Sequence, residues 1–329
     1  MSRLAGRVAI VTGAGRGIGR AHALALAAGG ASVVVNDLGT GVGGDGADAG
    51  PAESVCDEIR AGGGRAVASR HDVSDWTAAH DLIALAVESF GGLDILVNNA
   101  GILRDRALFN MSEDEWDAVV AVHLKGHAAP SRHALAWWRA EAKAGRPRAA
   151  SVIHTTSSSG LCGNFGQANY GAAKMGVIGL SKVLSIEGAP YGVRSNVISP
   201  SARTRMVAGM TGADQLGEPD ETGYDPFGPE HVSALAAWLA EADCPARNQI
   251  FHVSGRRVRV LEVPGIAFEA RSERDLTPSA LADVLDTRLV VPVDAFDLIL
   301  GRQPAEDEEG RLPSPGTGDT LPTTATRSR

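Results

Sequence analysis

Short apolar runs alternate with longer helical patterns along most of the chain. The pattern predicts strands near 7–12, 32–37, 65–70, 93–98, 149–155, 192–198 and 248–254, with helices near 17–29, 51–61, 75–90, 112–142, 168–189 and 230–242. Alternation at this spacing implies parallel strands joined by crossover helices. The expected architecture is α/β: a doubly wound, seven-stranded parallel sheet with helices on both faces. Val33 to Val35 and Ile95 to Val97 are continuously apolar, as strands covered on both faces are. Three segments depart from the rhythm. Gly39 to Gly50 is an insertion rich in Gly and Asp. Ser201 to Pro229 is long, polar and rich in Gly, Pro and Asp; such a segment inside a compact domain is either a lid or disordered, and its place after the sixth strand favours a lid. The tail beyond Gly301 is dense in Pro, Glu, Asp, Thr and Gly, a composition that does not support a core. Between these, Arg257 to Val263 alternates like a strand and Ser279 to Leu285 reads as a short helix. The expected organisation is one domain over 1–255, an extension packed on it over 256–300, and a disordered tail over 301–329.

Composition narrows the function classes. The 329 residues are 44% hydrophobic and 21% charged, with a net charge of −8, which is ordinary for a soluble globular protein. The acidic balance disfavours a nucleic-acid protein, which usually shows a basic face, though a local basic patch for an acidic small-molecule substrate can coexist with it. Cys56, Cys162 and Cys244 are an odd set at wide spacing; they fit neither a disulfide framework nor a zinc pattern, so no metal is expected. The apolar run from Val8 to Val11 is too short for a signal peptide or membrane span. The C-terminal Thr326 to Arg329 carries no Ser-Lys-Leu address. A cytoplasmic protein without a membrane partner is expected.

The first candidate chemistry is a tyrosine–lysine pair. Tyr170 and Lys174 are four residues apart, with Ser157 thirteen residues upstream of the tyrosine. On a helix this spacing puts both on one face. A free phenol has a pKa of about 10, and a nearby opposite charge typically lowers such a value by about 1–3. With a serine hydroxyl alongside to hold a substrate oxygen, the trio suits moving a proton on or off a carbinol oxygen. Alone, a tyrosine and lysine at this spacing are more often a surface pair.

The second is a glycine loop between the first strand and the first helix: Gly13, Gly17 and Gly19, with Arg16 and Ile18 between, in the order T-G-x-x-x-G-x-G. Glycines let backbone approach a pyrophosphate, and the helix N-terminus supplies amides. Asp37 ends the second strand, 20 residues beyond Gly17, where a carboxylate accepts from a ribose and repels a 2′-phosphate. That favours NAD over NADP; Arg16 pulls toward phosphate but carries less weight. Asp37 could otherwise be a solvated turn residue. Asp72 and Val73 follow the third strand and are placed to bracket an adenine. Asn98, Asn99, Ala100 and Gly101 end the fourth strand, either permitting close backbone approach to a cofactor or holding neighbouring strands together.

Taken in order, Thr12 to Gly19, Asp72, Asn98 to Gly101, and Ser157, Tyr170 and Lys174 resemble the short-chain dehydrogenase/reductase family, over about residues 5–255. A narrower resemblance, carried by Asn36 to Gly39, Asn98 to Arg106, Val122 to Gly126 and Gly163 to Tyr170, is to the (3R)-hydroxyacyl-CoA dehydrogenase unit of peroxisomal multifunctional enzyme type 2 and its bacterial stand-alone relatives. The resemblance implies a Rossmann-type fold and NAD-dependent interconversion of a 3-hydroxyacyl-CoA and a 3-ketoacyl-CoA, or of a steroid or other secondary alcohol and its ketone. It implies that Tyr170 carries the proton, Ser157 holds the substrate oxygen, and Lys174 holds the phenolate and the nicotinamide ribose. Pro200 and Thr204 stand where the family contacts the carboxamide, with Ser201 replacing the usual Gly. His123 stands where the wider family has an Asn that positions a water linking the lysine to solvent. Either His123 does a similar job, or it is a helix histidine satisfied locally. Met206 and Met210 face an acyl chain or simply pack; Arg104 and Arg106 meet CoA phosphates or are solvated or paired. The helices near 112–142 and 168–189 would form the family's homodimer or homotetramer, with Ala134 to Trp138 either interface or core. A non-catalytic dinucleotide-binding subunit is the alternative from another class, and the intact trio argues against it.

Overall fold

The computed structural model describes residues 3–46, 48–208 and 218–262. Its strands are β1 (Val8–Thr12), β2 (Ser32–Asn36), β3 (Arg65–Ser69), β4 (Ile95–Asn98), β5 (Ala150–Thr155), β6 (Val193–Ser201), β7 (Ile250–Ser254) and β8 (Arg257–Leu261). They form one sheet in the order β3-β2-β1-β4-β5-β6-β7-β8. The order reverses between β1 and β4, whose register pairs Ala9 with Ile95 and Val11 with Val97. Above such a switch point the carboxyl ends of the strands open into a crevice.

The helices are α1 (Gly17–Ala28), α2 (Gly50–Ala61), α3 (Trp76–Phe90), α4 (Glu113–Val120), α5 (Gly126–Lys143), α6 (Ser158–Cys162), α7 (Ala168–Gly188), α8 (Arg205–Ala208) and α9 (Pro229–Leu239). The continuous apolar runs resolve into a period of two once both faces are covered. Val33, Val35, Ala9, Val11 and Val97 pack with Leu26 of α1, Val55 and Ile59 of α2, and Leu235 and Leu239 of α9. Their neighbours Val34, Val8, Ile10 and Leu96 pack on the other face with Leu82 of α3, Trp138 of α5 and Leu184 of α7. Ala134 and Trp138 are fully buried there, and the Trp138 indole donates to Leu93 O at 2.8 Å, so this pair belongs to the core and not to an interface.

Two expectations are corrected. The sheet has eight strands rather than seven, and the last is antiparallel: β8 pairs back on β7 with Ser254 opposite Arg257. The reversal takes two residues, and Gly255 has φ +52°, the positive φ that a two-residue hairpin needs at its first central position. The helix predicted over 112–142 is broken. The Ser112 hydroxyl starts α4 in a capping box with Glu115, a π-helical turn spans Ala121–Lys125, and α5 follows. Pro130 lies inside α5 and withholds the amide that Gly126 O would accept in a regular ladder. His123 sits in the middle of the π turn, the kind of irregularity common at functional sites. The helix expected at Ser279 to Leu285 and the tail beyond Gly301 lie outside the described residues.

The 39–50 insertion is not a free loop. Leu103 N donates to Val42 O at 2.9 Å and the Arg104 guanidinium to Gly43 O at 3.0 Å, which folds the insertion against the segment after β4. On the face that α1 and α9 share, the His22 imidazole of α1 contacts Ser233 Oγ of α9 at 2.9 Å. Burial lowers its pKa to about 4, and that of His252 on β7 to about 4 as well. Both lie below the unfolded value of about 6.5, so the unfolded chain binds more protons between these limits and stability rises with pH there. The unfolding midpoint is therefore expected to drop as pH falls from about 6.5 to 4, and His22→Asn to flatten that slope; thermal melts across this range check it.

Candidate active site

The crevice at the switch point is a cleft of about 480 Å³. Gly13, Arg16, Gly17, Ile18, Gly19, Asp37, Asp72, Val73, Asn99, Ala100, Gly101 and Thr204 all line it, so residues from segments far apart in the sequence meet on one surface. Thr12 fixes the loop's base: its hydroxyl accepts from Asn99 N at 2.9 Å and Ala100 N at 3.1 Å. The Asn99 amide in turn donates to Thr12 O and Gly13 O. A Cβ on Gly13 would lie 2.7 Å from Ala100 Cα, and one on Gly19 would collide with Gly13 O, so these glycines close the turn upon itself. Gly17 has φ +53° and faces Thr204. α1 starts without a side-chain cap, which leaves its first-turn amides available to an anion.

Asp37 is held at the cleft's lip. One carboxylate oxygen accepts from Gly15 N at 2.7 Å and the other from Gly39 N at 2.6 Å. Arg16 donates to Thr40 O at 3.2 Å. Asp72 accepts from both the amide and the hydroxyl of Ser74. The insertion contributes Leu38, Thr40, Gly41, Val42 and Gly44 to the wall. Sequence reasoning noted that segment and assigned it no role; the alternating glycines that let it fold over Ile102 were the available signal. Pro200, Ser157, Tyr170, Lys174 and His123 are not part of this lining. Met206 lines the cleft, whereas Met210 lies outside the described residues. Arg104 also lines it, while Arg106 is committed to Glu115 at 2.7 Å.

Beyond Gly101 the second half of the site is assembled from β5, α6 and α7. Gly160 and Gly171 let α6 and α7 close together: a Cβ on Gly160 would lie 2.8 Å from Lys174 Cβ, and one on Gly171 3.0 Å from Ser159 O. That approach brings Ser157, the N-cap of α6, close enough to the Tyr170 phenol to lower its pKa. The start of α7 is pinned by buried Asn169, which donates to Arg104 O at 3.1 Å and Glu115 O at 3.0 Å and accepts from Tyr170 N at 2.7 Å.

Lys174 is 2% exposed. Its ammonium donates to Thr155 O at 2.6 Å and lies 5.6 Å from the centre of the Tyr170 ring. Burial lowers its pKa to about 7. The sequence argument that the lysine draws the phenol's pKa down is corrected: among the protein's own groups burial prevails and pushes Tyr170 up to about 12, with the Ser157 hydrogen bond opposing and Asp105 adding to the rise. The lysine's charge is spent on a backbone carbonyl and is itself weakened by desolvation.

His123 is buried against this pair, its ring edge-on to Tyr170 with centres 4.9 Å apart. Its Nε2 accepts from Ile102 N at 3.0 Å and lies 2.7 Å from Ile102 O, and its Nδ1 has no partner in the protein. Gly101 must be glycine because a Cβ would run into this imidazole. Burial first, then the Lys174 charge, hold His123 well below the usual imidazole range. Two further buried histidines, His127 of α5 and His154 of β5, stack with centres 5.5 Å apart. Sequence reasoning missed both. The signal was present for one of them, since His127 follows His123 at one helical turn.

The short chain dehydrogenase family model matches residues 7–214. The chain is 47% identical over 270 residues to hydroxyacyl-CoA dehydrogenase ChsB1 of Mycobacterium tuberculosis, covering 79% of this chain and 81% of that protein. It is 39% identical over 284 residues to mouse peroxisomal multifunctional enzyme type 2, covering 85% of this chain and 36% of that longer protein. A crystal structure of a short chain dehydrogenase from Mycobacterium avium superposes with a TM-score of 0.77 at 47% identity, covering 89% of this chain and 98% of that one. Among the described residues no helix is long and apolar enough to cross a membrane, and no cluster of metal-ligating side chains occurs. The chain belongs to the short-chain dehydrogenase family and is an oxidoreductase that acts on a CH–OH group.

Proposed function

We propose that this enzyme interconverts a 3-hydroxyacyl-CoA and the corresponding 3-ketoacyl-CoA with NAD as its cofactor. The observation that carries the reading is the Tyr170 phenol with Ser157 beside it and Lys174 buried against its ring, next to a cleft whose residues suit a dinucleotide. The uncapped α1 N-terminus and self-closed glycine loop fit a pyrophosphate, and the Asp37 carboxylate fits a ribose diol and disfavours a 2′-phosphate. The hydroxyacyl-CoA substrate is supported by the relatives' names and by the strings shared with that subgroup.

NAD, when bound, supplies the hydride acceptor. The protein's part is the proton. Ser157 donates to the substrate's carbinol oxygen and fixes it beside Tyr170. Tyr170, as phenolate, accepts the carbinol proton: the substrate O–H bond breaks and the phenol O–H bond forms. A phenol at about 12 holds its proton in the resting protein, so the positive nicotinamide, when bound, would be what favours the phenolate. Oxidation is therefore expected to accelerate as pH rises and reduction as pH falls, which paired initial-rate profiles measure. Thr204 and Pro200 would hold the carboxamide end of the cofactor, and Met206 would meet the acyl chain. A cytoplasmic location is supported by cysteines that are free of disulfides.

A homodimer or homotetramer is supported by Val183 and Ile186 on α7, which are 53% and 72% exposed. Ile186→Glu is expected to shift the protein toward monomer in sedimentation velocity.

Two variants test the assignments. Tyr170→Phe should lower kcat by at least ~10²–10⁴, the range for a positioned acid–base group, with NAD affinity nearly unchanged by calorimetry. Asp37→Ser should raise the preference for NADP relative to NAD by about tenfold or more, since it removes a like charge facing the 2′-phosphate. Both are read by absorbance of the reduced cofactor with 3-hydroxyacyl-CoAs, and with hydroxysteroids as the competing substrate class. A Tyr170→Phe enzyme at full rate would falsify the proton-carrier role.

A further inference from the structure

The insertion after β2 is pinned at three places, each beside the end of a different strand. Asp48 N donates to Leu38 O at 3.1 Å, so the segment leaves and returns at the end of β2. In the sheet, β1 is next to β2 and β4 next to β1. Arg16, in the glycine loop that follows β1, donates to Thr40 O at 3.2 Å. Leu103, beyond β4, donates from its amide to Val42 O at 2.9 Å. The Arg104 guanidinium donates to Gly43 O at 3.0 Å and lies 3.7 Å from Asp45 Oδ1. The insertion is thus a flap that reaches from β2, past the glycine loop, to the segment after β4.

Its tip is a tight turn. Gly41 N donates to Asp45 O at 2.8 Å, and Gly44 N to Gly41 O at 3.1 Å. Gly44 has φ +90°, and a Cβ there would lie 3.1 Å from Ile102 Cδ1, so glycine lets the tip lie on Ile102. Arg104 is fixed from the other side. Its own carbonyl accepts from the side-chain amide of buried Asn169 at 3.1 Å, which ties it to the start of α7. Thr40, Gly41, Val42 and Gly44 line the same cleft as Gly13 and Gly17. The cleft therefore has the glycine loop on one wall and the pinned flap on another.

We propose that this flap retains the dinucleotide in the cleft and that Arg104 is its clamp, a positioning residue that acts on cofactor exchange through Gly43. Entry and exit of the cofactor open the bonds at Val42 O and Gly43 O. Hydride and proton transfer take place with those bonds intact. The three anchors explain why the flap needs glycines at Gly41, Gly43 and Gly44: backbone carbonyls and amides, not side chains, make its contacts. This rests on the cleft taking a dinucleotide, as read above.

Two variants loosen the flap by different routes. Arg104→Leu removes the clamp, and Gly44→Val lifts the tip off Ile102, since a β-branched residue does not settle at positive φ. Each is expected to raise the NADH dissociation rate about tenfold, the scale of one hydrogen bond from a charged donor. Stopped-flow fluorescence reads this as excess NAD displaces bound NADH. The KM for the cofactor should rise with it, while the single-turnover rate of hydride transfer at saturating cofactor holds. Hydrogen–deuterium exchange gives a readout without turnover. The amides of residues 39–46 and of Leu103 should exchange faster in both variants, and NAD should slow them in the wild type. Unchanged NADH release in both variants, or a loss confined to the hydride-transfer step, would overturn the proposal. So would flap amides that exchange alike with and without bound NAD. Wild-type protein that binds neither NAD nor NADH in calorimetry would instead remove the dinucleotide reading itself, with amide exchange in Arg104→Leu still reporting whether the clamp exists.

Discussion

A lysine ammonium without bulk water around it is the constraint on which this site turns. Lys174 sits between β5 and α7, and an unpaired charge there would be far too costly to keep. The fold meets it with the Thr155 carbonyl, at 2.6 Å, and the Tyr170 ring. The other active groups follow from that placement. Tyr170 is one helical turn before Lys174 on α7, Ser157 lies just past the end of β5, and His154 precedes Thr155 on that same strand. Thr156 Oγ1 donates to Lys174 O at 2.6 Å, so β5 and α7 are pinned together at the lysine's own peptide group. Small residues bring α6 against α7 at the same point, and Gly160 marks that contact.

The cofactor cleft depends on a different constraint, the parting of strand order at β1 and β4. Its loop is closed by Thr12, whose hydroxyl gathers the amides of Asn99 and Ala100. That ties the ends of two neighbouring strands into one rigid lip, and Gly101 continues it to the His123 ring. The cleft and the proton-handling half thus share one structural joint, Gly101 to Ile102, through which the position of His123 is set from the cofactor side.

Much of this was legible in the chain. Seven strands fall where apolar runs end in turn residues, because burial on both faces leaves no room for polar alternation. The glycine loop and the Ser157, Tyr170 and Lys174 spacing were readable because each depends on one turn or one helical repeat. β8 was legible as alternation, but its return onto β7 hinges on Gly255 acting as a hairpin residue, which a parallel pattern gives no reason to expect. The π turn hid inside an amphipathic repeat, since one extra residue in a turn barely disturbs the periodicity.

By itself the sequence determined which residues sit on one face of a helix or at one strand end, hence the fold class and the candidate reacting groups. Only the tertiary structure decided their electrostatic state. The raised phenol, the weakened lysine and the neutral histidine pair all arise from desolvation, which sums over every group packed nearby. Asn98, His127 and His154 come from three separate elements, so their mutual contacts have no expression in local spacing. The same holds for the insertion: its composition showed a bend, and only its contacts with Leu103 and Arg104 made it a wall of the cleft.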